Sequence, residues 1–470
     1  MTRCLVNKIW FDVTSILQWN RPAVGVIRVQ AECAKYALRL GSKIAFCRFE
    51  REIGYIPVDL EDVRKTIERL ENRELVNGTA LNGAFGRSVP LISRIATITR
   101  RALGFMPKSL SNRILHYLYH RREAAEASIN GLREFRRALY AWRNPVRPAA
   151  IAVPEIRQSL ETSPFSKGDV HISLGLDWDQ KNNSFIAKEK KLKQFKTIFC
   201  CYDVIPVKFP HLCVGDVAAK FAHYFVDLAW CADEFVSISE CSKRDLLELL
   251  EELGAPCPET TVIKLGSHIP LSNDDEVSKQ TKQAAGERFI LFVSTIERRK
   301  NHETLYRAYT RLLDRGVTNL PKLVFVGMPG WGVNDFLADL RFDCRVKGLV
   351  QVLTNVSDAD LNWLYKNTLF TVFPSLYEGW GLAVAESLSA GKFCLASNAA
   401  SIPEVGGGLI EYLDPWDVPK WAERLEWYFD NPDALADAEI RIRETYNAPT
   451  WEETAVTIFD RAEALLARDN

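Results

Sequence analysis

Two glutamates, Glu378 and Glu386, bracket a glycine loop in Phe373-Pro374-Ser375-Leu376-Tyr377-Glu378-Gly379-Trp380-Gly381-Leu382-Ala383-Val384-Ala385-Glu386. Gly379 and Gly381 allow the loop φ > 0 or a close approach of its backbone to a ligand. The run after Gly381 reads as a helix, Leu382–Ala390, closed by Gly391. Free backbone N–H groups and the positive end of a helix then converge on one point, which suits an anion. Carboxylates would repel phosphate, so Glu378 and Glu386 are expected to hold neutral hydroxyls on either side of it. A ligand with sugar at both ends and phosphate between them, a nucleotide-sugar, has that shape.

The cations for such a ligand lie elsewhere, in Thr295-Ile296-Glu297-Arg298-Arg299-Lys300-Asn301-His302. Arg offers a planar fork and Lys a point charge, and either can offset a diphosphate; a solvated turn is the plain alternative. Gly25, in Arg21-Pro22-Ala23-Val24-Gly25-Val26, precedes a helix and reads as a turn or as a close approach to a ligand. Tyr202, Asp203, Asp177 and Asp179 stand just past apolar runs that read as parallel strands. They become candidates for the acceptor side of a crevice at the strands' carboxyl ends. His171, inside its strand, reads as structural.

The elements that must position these residues follow from periodicity. Apolar runs at 8–14, 44–49, 169–176, 195–203 and 234–239 alternate with helical segments, as in a doubly wound α/β domain. A second α/β domain starts at Arg288, with further strands at 322–327, 350–353 and 368–373. The polar stretch 271–287 reads as the linker, and 400–408 as a second glycine loop. The expected domains are therefore 1–275, 285–450 and a C-terminal helix, 451–470, crossing back onto the first domain. A helical insertion interrupts the first domain at about 60–150. From Arg87 to Arg147 it carries 13 Lys/Arg against 3 Glu in a chain of net charge zero. Such a segment reads either as a contact for anionic lipid or an anionic acceptor, or as a solvated insertion with one packed face.

Apolar residues at 47% and charged residues at 26% describe an ordinary globular chain, and zero net charge gives no polyanion signal. No run approaches the ~18 apolar residues of a membrane span, and the first residues lack a signal peptide's apolar core. The 11 cysteines have no paired metal spacing. Cys4, Cys33, Cys47, Cys344 and Cys394 lie in apolar surroundings, so reduced, buried thiols in a cytoplasmic protein are expected.

Over about 165–470 the chain resembles glycosyltransferase family 4, the retaining nucleotide-sugar transferases of the GT-B fold. The resemblance rests on the Glu-x7-Glu stretch after Phe-Pro-Ser, followed by Ala-Gly-Lys and Ile-Pro-Glu-Val-Gly-Gly. The loop at 295–302, Phe-Val-Gly-Met-Pro-Gly-Trp, Tyr-Asp-Val-Ile-Pro and the start Phe-Asp-Val-Thr-Ser are similar to its mannosyl- and rhamnosyl-transferase branch of bacterial surface polysaccharide synthesis. The resemblance implies two Rossmann-like domains facing a cleft. It implies that Glu386 holds the ribose hydroxyls and that Glu378 contacts the donor sugar. Backbone N–H groups of Gly379, Trp380, Gly381 and Leu382 would meet the sugar and phosphates. Arg299 and Lys300 would grip the diphosphate, and Gly25 would close on it from the first domain. Glu378, Lys300, Arg299 and Asp203 are the implied catalytic set. Two departures stand out: Thr295 occupies a place where many members carry Arg, and Tyr202 one where many carry His.

Expected partners are a nucleotide-sugar, with GDP-mannose favoured over dTDP-rhamnose and UDP-sugars, and a saccharide or lipid-linked acceptor. Retention with an α-linkage is expected, and no metal or other cofactor, because no Asp-x-Asp pair is evident at the donor site. Competing classes are a nucleotide-sugar epimerase or hydrolase and a non-catalytic sugar-binding scaffold.

Overall fold

The computed structural model describes residues 7–20, 23, 25–51, 53–71, 163–213, 217–267 and 277–468. The basic segment 87–147 and most of the expected insertion lie outside the described residues.

Two sheets organise the described chain. The first contains β1 (Ile9–Asp12), β2 (Ile44–Glu50), β3 (Gly54–Val58), β4 (Val170–Ser173), β5 (Lys196–Cys201), β6 (Glu234–Ser237) and β7 (Glu259–Val262). Their order is β3-β2-β1-β4-β5-β6-β7, parallel except where β3 pairs antiparallel with β2. The second contains β8 (Phe289–Val293), β9 (Lys322–Val326), β10 (Val350–Leu353), β11 (Thr371–Phe373), β12 (Cys394–Ser397) and β13 (Glu411–Leu413), in the order β10-β9-β8-β11-β12-β13. The pairings in this sheet are parallel. Strands such as Phe-Ile-Leu-Phe-Val at 289–293 are apolar throughout because helices cover both faces of a parallel sheet. Strand order reverses between β1 and β4 and between β8 and β11. At such a reversal the connections diverge to opposite faces and leave a crevice beyond the carboxyl ends.

Helix ends follow their caps. Ser239 accepts from the Ser242 N–H and starts Glu240–Glu252, and Ser357 accepts from the Asp360 N–H and starts Asp358–Asn367. Thr450 and Glu453 form a capping box that starts the last helix, Trp451–Ala467. This helix packs on the first sheet's side of the chain. Phe459 stacks on Phe11 of β1 with ring centroids 5.7 Å apart, and Arg461 Nε donates to Glu234 of β6 at 2.6 Å.

Three expectations are corrected. The stretch read as a linker contains a helix, Lys279–Ala285, capped by Ser278, whose N–H donates to Asp360. Its Lys, Gln and Ala residues favour helix once a serine supplies the cap. The second glycine loop contains a short helix, Ile402–Gly406, with proline in its first turn and Gly407 (φ 53°) after it. Cys344 is exposed, because it lies in a turn between Asp343 and Arg345, which pair with each other at the surface, whereas Cys33, Cys47 and Cys394 are buried. Cys4 lies outside the described residues.

Candidate active site

The glycine loop leaves β11 and meets the loop that leaves β8. Leu376 N–H donates to the Arg299 carbonyl at 2.8 Å. Asn301, at φ 58°, donates from Nδ2 to the carbonyls of Pro374 and Pro415 at 3.1 and 2.9 Å. These bonds fix the 3-10 turn Arg298–Lys300 against Glu378.

Lys300 Nζ is 2.6 Å from Glu378 Oε1, and Arg299 Nη1 is 2.8 Å from Glu378 Oε2. Arg299 also donates to the Tyr377 carbonyl at 2.8 Å and to Glu297 at 2.7 Å. Burial opposes charge on Glu378, but Arg299 and Lys300 outweigh it and hold the carboxyl down at about 2. Burial lowers the Lys300 pKa, partly offset by Glu378. Burial works the same way on Arg299, but Glu378, Glu297 and Asp203 reverse it. Sequence reading kept the cations and Glu378 apart; the fold joins them. Glu297 and Glu378 balance Arg299 and Lys300, so the group is neutral as a set. An ammonium carries three donors and a guanidinium five, so both cations keep donors for a further anion.

Glu386 is buried on the Leu382–Ser389 helix and accepts from the Tyr365 hydroxyl at 2.9 Å. Burial raises its pKa to about 7 against the pull of Arg28 and Tyr365, with Asp358 adding to the rise. Arg28, from the first-domain helix Val26–Arg39, comes within 3.7 Å of it. Gly25 (φ 52°) precedes that helix, and a Cβ built there meets no atom within 4 Å.

The two sheets' loops touch at the glycine loop. The Gly379 carbonyl accepts from Ser239 Oγ at 2.7 Å and Ser242 Oγ at 3.0 Å. A methyl group at Gly379 would collide with the Tyr202 carbonyl oxygen, so this approach requires glycine. Glu404 accepts from the N–H groups of Glu240 and Cys241, each at 2.8 Å, and so caps a first-domain helix from the second domain. Trp380 is buried, its carbonyl held by Ser401 at 2.8 Å. Gly381 and Leu382 open the Leu382–Ser389 helix.

The acceptor-side candidates separate. Asp203 is half-buried beside this group and accepts from the Ile205 N–H at 3.0 Å. Burial raises its pKa, Arg299 pulls it down and Glu378 adds to the rise. The Tyr202 hydroxyl donates to the Leu174 carbonyl at 2.7 Å inside the core, so only its backbone reaches the interface. Asp177 is no open acidic loop residue: it begins a short helix, Asp177–Gln180, and is buried. Lys181, 2.7 Å away, and Ser173, 2.6 Å away, compensate its charge. Asp179 lies in the same turn, and its side chain is outside the described residues. Asp12, Cys47 and His171 bring potential metal ligands within 4.8 Å of one another. The Lys181 ammonium, 2.6 Å from Asp12, supplies positive charge there.

Arg28, Glu297, Tyr365, Glu404 and the Ser239–Ser242 pair were not singled out as site residues from sequence. Glu297 was legible, two places before Arg299. The others come from separate elements that only folding brings together.

Two parallel α/β sheets with facing carboxyl-edge loops define the GT-B fold. Residues 273–445 match the family described as Glycosyl transferases group 1. The chain is similar to the O-antigen chain mannosyltransferase B of Escherichia coli, 32% identical over 184 residues, covering 39% of this chain and 48% of that one. It is also similar to the serotype-specific mannosyltransferase WbdA of Escherichia coli, 28% identical over 234 residues, covering 48% of this chain and 28% of that one. The chain thus spans about half the length, or less, of these curated relatives. Among solved structures, a glycosyltransferase from Rickettsia africae aligns over 98% of both chains with TM-score 0.53 and 13% identity. Anabaena HepE in complex with UDP and glucose aligns over 98% of both chains with TM-score 0.51 and 14% identity. These two likenesses bear on the fold alone. Among the described residues no helix is long and apolar enough to cross a membrane.

Proposed function

We propose that the chain is a retaining glycosyltransferase that moves a sugar, with mannose from GDP-mannose favoured, onto a saccharide or lipid-linked saccharide in bacterial surface polysaccharide synthesis. The observation that carries this reading is the Arg299–Glu378–Lys300 group at a glycine loop, with Glu386 one helix turn beyond the loop. Similarity to mannosyltransferases supports the donor choice.

In this reading Glu386 accepts from the ribose hydroxyls. Arg299 and Lys300 donate their remaining N–H groups to the diphosphate, with the Leu382–Ser389 helix N-terminus beside them. The bond from C1 to the leaving phosphate oxygen breaks, and a bond from C1 to the acceptor oxygen forms on the same face. The acceptor's proton passes to the leaving phosphate. Negative charge grows on that phosphate in the transition state, so its fixed cations bind the transition state better than the substrate. Closure of the domains would keep water from the donor. No metal is required, because the cations meet the leaving charge. The basic segment 87–147 would rest on an anionic membrane surface; liposome flotation with anionic and neutral vesicles tests that contact, and equal recovery removes it.

Incubation of the purified protein with GDP-, UDP-, ADP- and dTDP-sugars and oligosaccharide acceptors tests the reading. It predicts acceptor-dependent release of nucleoside diphosphate and an α-linked product by NMR, undiminished by EDTA. Release without an acceptor would indicate a hydrolase, and no release an inert scaffold.

A further inference from the structure

Arg28 stands in the first turn of the Val26–Arg39 helix, facing Glu386 from the first domain. Its Nη1 is 3.7 Å from Glu386 Oε1, and its Nη2 is 4.0 Å from Asp358 Oδ1. The Arg28 and Glu386 side chains are 11% and 8% exposed. A closed Arg–carboxylate pair shortens to about 2.7–2.9 Å. These two stop short of that, while Tyr365 occupies the other Glu386 oxygen at 2.9 Å.

A guanidinium only donates and a carboxylate only accepts. A group that satisfies both across this gap must accept and donate at once. A sugar hydroxyl does both; a CH2 does neither. Asp358 Oδ1 lies 4.0 Å from the second guanidinium nitrogen, so a carboxylate faces each end of the fork without closing on it.

We propose that Arg28 and Glu386 grip the ribose diol of the nucleotide from opposite domains, one hydroxyl bridging them, and so select ribonucleotides over deoxyribonucleotides. The inference rests on the nucleotide-sugar reading above and adds a second, cationic wall to the ribose site. It also makes nucleotide selection dependent on domain closure, since the two residues come from different domains.

Isothermal titration of the wild type, Arg28→Met and Arg28→Lys with UDP and GDP, each with its 2′-deoxy and 3′-deoxy counterparts, tests this. The wild type should bind the ribonucleotide about tenfold or more tighter than at least one deoxy form, as expected for a lost hydrogen bond to charged groups. Arg28→Met should weaken ribonucleotide binding and reduce that ratio to about twofold or less, with the deoxy form nearly unaffected. Arg28→Lys keeps the charge without the fork and should fall between; it carries the test if the methionine variant does not fold. A wild type that binds but does not discriminate, or variants that keep the full ratio, would overturn the inference alone. Failure of all six nucleotides to bind the wild type would remove the GDP- and UDP-sugar readings and the inference with them.

Discussion

Lys300 and Glu378 meet at 2.6 Å, and Arg299 holds the other oxygen of the same carboxylate at 2.8 Å. Glu378 is thus the buried anion that fixes two partly buried cations, in addition to any role toward a sugar. Removing one partner of a buried ion group leaves uncompensated charge and costs about 3–5 kcal/mol. Glu378→Ala should therefore lower unfolding stability by roughly that amount, measured by chemical denaturation, as well as abolish transfer. An unchanged midpoint would show that solvent already screens the pair.

Glu386 sets the pH dependence. Its folded pKa of about 7 stands above the ordinary 4.5. As pH rises through that window, the unfolded chain releases this proton before the folded one, so Glu386 costs stability between about 4.5 and 7. Hydroxyls donating to the carboxylate favour its charged form. Nucleotide binding near pH 6.5 should then release a proton, seen as buffer-dependent heat in titration calorimetry, and none at pH 8.5. Arg28, Tyr365 and Asp358 face this carboxyl; Arg28→Met should move the release to higher pH. Heat independent of the buffer at both pH values would contradict this.

Glu404 clasps the two domains by capping the Glu240–Glu252 helix. A lost cap is worth about 0.5–1 kcal/mol at an exposed end. Glu404→Ala should raise the donor KM roughly two- to fivefold and increase the radius of gyration in small-angle scattering. Identical scattering and KM would mean that the Ser239 and Ser242 bonds to Gly379 close the domains unaided.

The two glycines should respond differently. Gly379→Ala forces the loop off the Tyr202 carbonyl and should cut transfer at least about tenfold. Gly25→Ala meets no atom within 4 Å, and its cost is backbone strain of about 1–3 kcal/mol at φ 52°. It should fold and bind donor less well, because the new methyl occupies ligand space. Equal donor affinity for Gly25→Ala and wild type, by titration, would remove Gly25 from the donor site.

Local signals made much of this legible. The strand, glycine loop and helix at 371–389 and the Trp451–Ala467 helix depend on apolar periodicity and caps, which are written in adjacent residues. β3, β7, β12 and β13 were not read from the sequence: β3 is an antiparallel edge strand containing Gly54 and Pro57, and the other three are runs of three or four residues without a clear period. In the site, the residue types at 299, 300, 378 and 386 announced their chemistry. Their pairing did not, because Lys300 and Glu378 are 78 positions apart. Arg28 and Tyr365 reach Glu386 only through tertiary packing, and Asp177 looked open because its partner Lys181 lies a helical turn further along the chain.

Titration of nucleoside diphosphate into the wild type and Lys300→Met tests the donor site most directly. Lys300 should contribute a charge-assisted bond to the diphosphate, so the variant should bind about ten- to a hundredfold more weakly with its circular dichroism unchanged. Equal affinity in the two proteins would contradict the assignment of Lys300, and of the group it forms with Glu378, to the donor.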